Sequence, residues 1–209
     1  MIPKSPRTRL VLQFLFAFSC IFAGLALPSP GVGHAFTRVH AALGNALVEN
    51  HVFESGVALR FSATDAALAE HPWQLTLEAR DPGRPEPVFV TIDLRTLLFL
   101  PLAAFVGLAV AAPLGSARRN ARVLGLGLLI LEPALLVLTA LPLLSFLGGT
   151  GPVQAFHLPP LAYLTFQTLY RALVAPPGMM YALPLLLWWV LVARSGASPL
   201  PSMSSPTPG

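Results

Sequence analysis

Hydrophobic and polar positions fall into two regimes along this chain. Four runs are almost continuously apolar: 10–27, 97–114, 123–147 and 179–193. The first three reach the ~18 to 25 residues that carry a helix across a hydrocarbon core of ~30 Å. The fourth is short by itself and reaches that length if 172–177 contributes, or if Trp188 and Trp189 sit at the membrane interface. Between the first two runs the pattern changes to strict alternation. In WQLTLEAR, Trp73, Leu75 and Leu77 share one face, with Gln74, Thr76 and Glu78 on the other. GVALRFS sets Val57, Leu59 and Phe61 on one side, and VFVTIDL does the same with Val88, Val90, Ile92 and Leu94. Period two bounded by turn residues predicts strands, and DPGRPEP between the last two predicts a hairpin loop.

Helical spacing precedes the strands. HAFTRVHAALGNALVE sets Phe36, Val39, Ala42, Leu43, Ala46 and Leu47 on one stripe, which predicts an amphipathic helix with that stripe facing the core. SATDAALAE predicts a short helical turn between the first two strands, capped by Ser62 or Thr64. The expected fold is therefore a membrane α-helical protein with about four transmembrane helices. A small exported α+β domain, with an antiparallel sheet of about three strands, lies between the first and second. Its core is thin, so it should rest on the membrane, on its own spans or on a partner.

Composition supports a membrane class. Of 209 residues, 55% are hydrophobic and 11% charged, against about a quarter charged in a soluble domain. Charge placement predicts the topology. Lys4, Arg7 and Arg9 precede the first run, Arg118, Arg119 and Arg122 fill the link between the second and third, and Arg194 follows the fourth. Arg- and Lys-rich short segments stay cytoplasmic. The expected order is thus a basic tail 1–9, span 10–27, exported domain 28–96, span 97–114, Arg-rich cytoplasmic loop 115–122, and span 123–147. An exported segment 148–178, span 179–193 and a Ser/Pro-rich, disordered cytoplasmic tail 194–209 complete it. A small-residue exit near Gly33–Ala35 leaves a cleaved signal peptide as the alternative for the first run. The formal charge of +4 comes mostly from these anchors. No basic face with interleaved aromatics accompanies it, so nucleic acid is not an expected partner and membrane lipid is.

Enzymatic constellations are thin. The chain has no phosphate-cradling glycine loop, HExxH, CxxC or GxSxG. Its histidines, His34, His40, His51, His71 and His157, all fall in segments expected outside, whereas the lone Cys20 lies within the first run and reads as a buried thiol. No catalytic, cofactor or metal residues are assigned. The one carboxylate inside an apolar run is Glu132, directly before Pro133; eight of the nine acids lie between Glu49 and Asp93. Three roles are open to it. It closes a proline kink by bonding the carbonyl that Pro133 frees at Leu129, it contacts another helix of this chain or of a partner, or it serves proton or solute transport. Arg95 and Arg171 border apolar runs on the outer side and either snorkel to headgroups or make ion-pair or carboxylate contacts with the exported domain or a partner. Tyr163, Phe166 and Tyr170 predict an amphipathic helix at the outer interface.

Three stretches together, DLRTLLFLPLAAFVGLAVAAPLGSARR, LGLGLLILEPALLVL and AYLTFQTLYRALVAPPGMMYALPLLLWWVLVARSG, resemble the exosortase-associated membrane proteins, in particular those found with exosortase H. The resemblance covers most of 90–195 by pattern and 10–90 by architecture. It implies an accessory protein of the bacterial inner membrane, beside a membrane transpeptidase that sorts tagged exported proteins. That enzyme uses a Cys, Arg and His set on its own helices. This chain has its one cysteine in the wrong span, so the expected role is a non-enzymatic accessory or scaffold protein bound to another integral membrane protein. The alternative is a subunit of a transporter or proton-coupled complex using Glu132.

Overall fold

The structure, a computed structural model, describes residues 6–27, 29–48, 56–63, 70–112, 114, 116–148, 155–176 and 178–194. It is mostly helical, with one small sheet. Helix α1 is Pro6–Ala26 and α2 is Pro30–Val48. Strands β1 (Ala58–Ser62), β2 (Gln74–Arg80) and β3 (Val88–Asp93) form an antiparallel sheet in that order. A π turn, Arg95–Phe99, leads into α3, Leu100–Ala111. Then come α4 (Ala117–Leu147), α5 (Pro160–Leu169) with a π turn at Tyr170–Val174, and α6 (Met179–Arg194). The helical turn expected over 62–70 falls largely outside the described residues, as does the tail from Ser195.

Among the described residues, two helices are long and apolar enough to cross a membrane, Thr8–Ala26 and Ala117–Leu147. The bent pair Pro160–Val174 and Met179–Arg194 passes the same test only if taken as one broken span. Arg95–Ala111 is a shorter apolar helix. Each π turn is closed by a residue that directly precedes a proline, Pro101 or Pro176, which has no N–H to continue the ladder. Leu100 N–H donates to Arg95 O, and Ala175 N–H to Tyr170 O.

The chain divides into two compact units. One comprises the described parts of Met1–Leu27, Pro101–Pro133 and Tyr181–Gly209, and the other those of Pro28–Leu100 and Ala134–Met180. In the first unit, helices interlock through aromatic rings seated on glycines. Phe105 is fully buried, and a Cβ at Gly127 would lie 1.8 Å from its Cζ. Phe18 covers Gly107, where a Cβ would come within 3.2 Å of the ring. Phe14 stacks on Trp188 with centroids 5.8 Å apart. Small residues that admit such close approach are the usual device of helices packed in lipid, where apolar burial alone brings no gain. Helix α1 is otherwise largely uncovered, and Cys20 is exposed. It is not the buried thiol expected, because only the stripe with Phe14 and Phe18 meets neighbours.

The arginines 118, 119 and 122 are not in a loop: α4 begins at Ala117, and the Ser116 hydroxyl accepts from Arg119 N–H at 3.3 Å, an N-cap bond. Basic residues in a first turn oppose the helix dipole, so another contact must justify them. Arg119 donates to Leu114 O (3.4 Å) and the Asn120 amide to Ala112 O (3.3 Å). The first turn of α4 therefore satisfies carbonyls left open where α3 ends.

In the second unit the sheet has one buried and one polar face. Trp73, Leu75, Leu77, Ala79, Ile92 and Leu94 are buried, in the register Leu75↔Ile92 and Leu77↔Val90. Val57, Leu77 and Ala79 form the core with Leu147 and Ala155, flanked by Leu143 and Phe146 from the end of α4. The alternation read from the sequence accounts for this face residue by residue.

Helix α2 packs on the sheet by a face rotated from that expected, keeping Phe36 of the expected stripe against Trp73, 6.0 Å between ring centroids. Its buried residues are Gly33, Thr37, His40 and Ala41, while Val39, Leu43 and Leu47 are 55%, 49% and 75% exposed. Close approach decides the matter. A Cβ at Gly33 would meet the Trp73 ring at 2.9 Å, and one at Gly44 the Phe61 ring at 2.5 Å. Only small residues let the helix lie so near. Side chains then clasp the strand backbone. The Asn45 amide donates to Phe61 O (2.8 Å) and accepts from Phe61 N–H (2.7 Å), and Thr37 donates to Pro72 O (2.9 Å). Asn45 thereby closes the free edge of β1, which would otherwise offer unpaired backbone groups.

Candidate partner-binding face

Glu132 lies within α4, and α4 has a sharply divided surface. Val123, Gly127 and Leu131 are buried. The opposite side carries Gly125, Leu126, Leu129 and Ile130, with Leu129 at 72% exposure. Gly125 has nothing within 4 Å of its Cβ position. Spacings of four and three place Gly125, Leu129 and Glu132 on one stripe of this outer face. Glu132 and Pro133 are both exposed. The helix runs unbroken through Pro133, and among the described residues the Glu132 carboxyl has no hydrogen bond or ion pair.

The other residues singled out by sequence do not join Glu132 in one cluster. Arg95 stands one residue after β3 leads out through Leu94, and its backbone N–H donates to Asp93 Oδ1 at 3.0 Å. The second oxygen of Asp93 accepts from the Thr96 hydroxyl. The carboxylate thus holds one N–H and one hydroxyl at the start of the helix, where the dipole favours negative charge. Arg95 serves this strand-to-helix junction through its backbone. Arg171 is exposed and has no ion pair among the described residues.

Tyr163, Phe166 and Tyr170 share a face at spacings of three and four, and all three are half-buried. The other side of α5 is leucine: Leu161, Leu164 and Leu169 are 77%, 59% and 39% exposed. Two threonines there are internally satisfied. Thr165 and Thr168 each donate to the carbonyl four residues back, Leu161 O and Leu164 O, at 2.8 Å. An outward face of leucines and self-bonded hydroxyls suits an apolar medium, since no polar group is left needing water.

No group of three or more His, Cys, Asp or Glu side chains comes together among the described residues. Sequence reading missed a cavity of about 230 Å³ in the second unit, bounded by α2, the sheet and the second half of α4. Its signal was present as small residues at helical spacing, Gly33, Thr37, Ala41 and Gly44, which mark a close-packing face. Comparison with protein-family models, curated proteins and solved structures returns no match.

Proposed function

We propose that this chain is a non-enzymatic accessory or scaffold protein of the bacterial inner membrane that binds another integral membrane protein through the outer face of α4. It crosses the membrane about four times, with both termini cytoplasmic and the sheet domain exported. The 17-residue helix Arg95–Ala111 serves as one crossing, as does α6 with its exposed Trp189 near the interface. The resemblance in the α3–α6 region names the partner class as an exosortase-type transpeptidase that sorts tagged exported proteins.

The carrying observation is Glu132, exposed on an apolar stripe and unpartnered among the described residues. A charged side chain at the centre of a span costs about 2.5–3.5 kcal/mol on insertion scales. A partner helix that presents a hydrogen-bond donor or a cation against Leu129 and Glu132 removes most of that cost. It also takes up the flat stripe at Gly125.

The test is affinity purification of the tagged full chain in mild detergent. Wild type and Glu132→Gln should recover the same membrane protein, because an amide keeps a hydrogen-bonding group there. Glu132→Leu should lose it while accumulating normally. Recovery of a lone monomer, or a partner retained unchanged by Glu132→Leu, contradicts the proposal. Loss of an ion or solute flux in Glu132→Gln with no partner recovered favours the proton-coupled alternative.

A further inference from the structure

The cavity beneath α2 has an almost wholly apolar lining, including Leu43, Leu47, Leu98, Ala140 and Leu143. Two polar side chains border it, and they differ. The Thr139 hydroxyl is used, donating to Leu135 O at 2.8 Å. His40 is more than nine-tenths buried. Its Nδ1 donates to Phe36 O, one turn back on α2, at 2.8 Å. That bond turns the far edge of the ring away from the α2 backbone, and Nε2 is buried with no hydrogen-bond partner among the described residues. The ring is fixed further by a tilted contact with the Phe36 ring, 4.2 Å between centroids. A buried polar nitrogen without a partner carries its full desolvation cost, which a suitable ligand recovers.

Size and polarity narrow that ligand. A volume of about 230 Å³ holds roughly eight groups of the ~30 Å³ that a water molecule occupies, and a methylene is of similar size. The chain is therefore short or only partly inserted. Its mouth is flanked by Leu43 and Leu47, which belong to the outward apolar stripe of α2. A chain that outgrows the cavity continues along leucine, so the neighbouring medium is a lipid surface. The head must satisfy Nε2 in whichever protonation state His40 adopts. A carboxyl group does both: the acid donates to a neutral ring, and the carboxylate accepts from a charged one. An ester only accepts and so serves only the charged ring; an alcohol serves both states but brings no negative charge to a charged ring.

We propose that this cavity binds a single medium-length fatty acid taken from the membrane, with its carboxyl group on His40 Nε2 and its chain between α2 and the second half of α4. The site is independent of the α4 partner face and of whether the chain is an accessory subunit.

The test uses the full chain in lipid nanodiscs with a photoactivatable diazirine analogue of decanoic acid. Labelling should concentrate on peptides holding Leu43–Val48 and Leu136–Leu143. Excess decanoic acid should displace it, and the methyl ester of decanoic acid should not. Ala140→Phe, which fills the cavity, should abolish labelling, while Val137→Phe on the exposed side of α4 should leave it intact. His40→Leu should weaken binding about tenfold, as loss of one hydrogen bond to a charged group does. A readout that needs no variant is the Tm of the wild-type protein, which saturating decanoic acid should raise and its methyl ester should not. Labelling unaffected by Ala140→Phe, displacement by the ester as readily as by the acid, or an unmoved Tm overturns the proposal. So does stronger displacement by an apolar peptide with a free C-terminal carboxylate, which would make this a peptide site.

Discussion

Gly127 and Gly125 show what a single residue decides here. Both sit in the same LGLGLL run and look alike in sequence, yet one is a socket for the Phe105 ring and the other faces open space. Gly127→Ala should destabilise the protein by about 1–3 kcal/mol through overpacking. Gly125→Ala should be neutral or slightly stabilising, by up to about 1 kcal/mol from helix propensity. Denaturant or thermal unfolding in detergent distinguishes them, and equal effects would contradict the packing described. Glu132, in contrast, was legible at once, because a carboxylate in an apolar run stands out whatever the fold. Its burial was not legible, since spacing alone does not say which stripe of a helix meets its neighbours.

At the scale of elements, the strands were readable and the faces of the helices were not. Period two with turn residues between leaves few alternatives, and Leu77, Val90 and Phe61 lie where alternation puts them. For α2 the rule that apolar residues point inward failed. Val39 points outward, Leu43 and Leu47 stand at the exposed edge of the cavity, and Gly33, Thr37 and His40 point in. That rule assumes water outside, and it loses force where the surroundings are lipid. Two substitutions measure this rotation. Asn45→Ala should cost about 1–3 kcal/mol, because it strips partners from both the N–H and the carbonyl of Phe61. Val39→Ser should change stability by no more than about 0.5 kcal/mol, as exposed positions do. A large loss at Val39 with little at Asn45 would mean that α2 packs by the stripe its sequence suggests. Leu77→Ala, at the fully buried centre of the sheet, should cost about 2–5 kcal/mol by leaving a cavity.

For the molecule as a whole, charge and apolar length carried the reading of class, and two spans satisfy the length test without qualification. Prolines obscured the remainder. Pro101 and Pro176 interrupt stretches that look continuous by hydropathy, and each lies beside a π turn. The proposed topology predicts that a reporter active only outside the cytoplasm works when inserted at Pro85 and fails when fused after Arg194. The reverse result would invert the orientation.

The central claim is that the stripe of Gly125, Leu129 and Glu132 meets another membrane protein. Placing a photo-crosslinking amino acid at Leu129 in the native membrane tests it most directly, with Phe16, a 73%-exposed position on α1, as the control. The account predicts one discrete protein adduct from Leu129, absent from Phe16 and lost on adding Glu132→Leu. Lipid adducts alone from Leu129, matching those from Phe16, would contradict it.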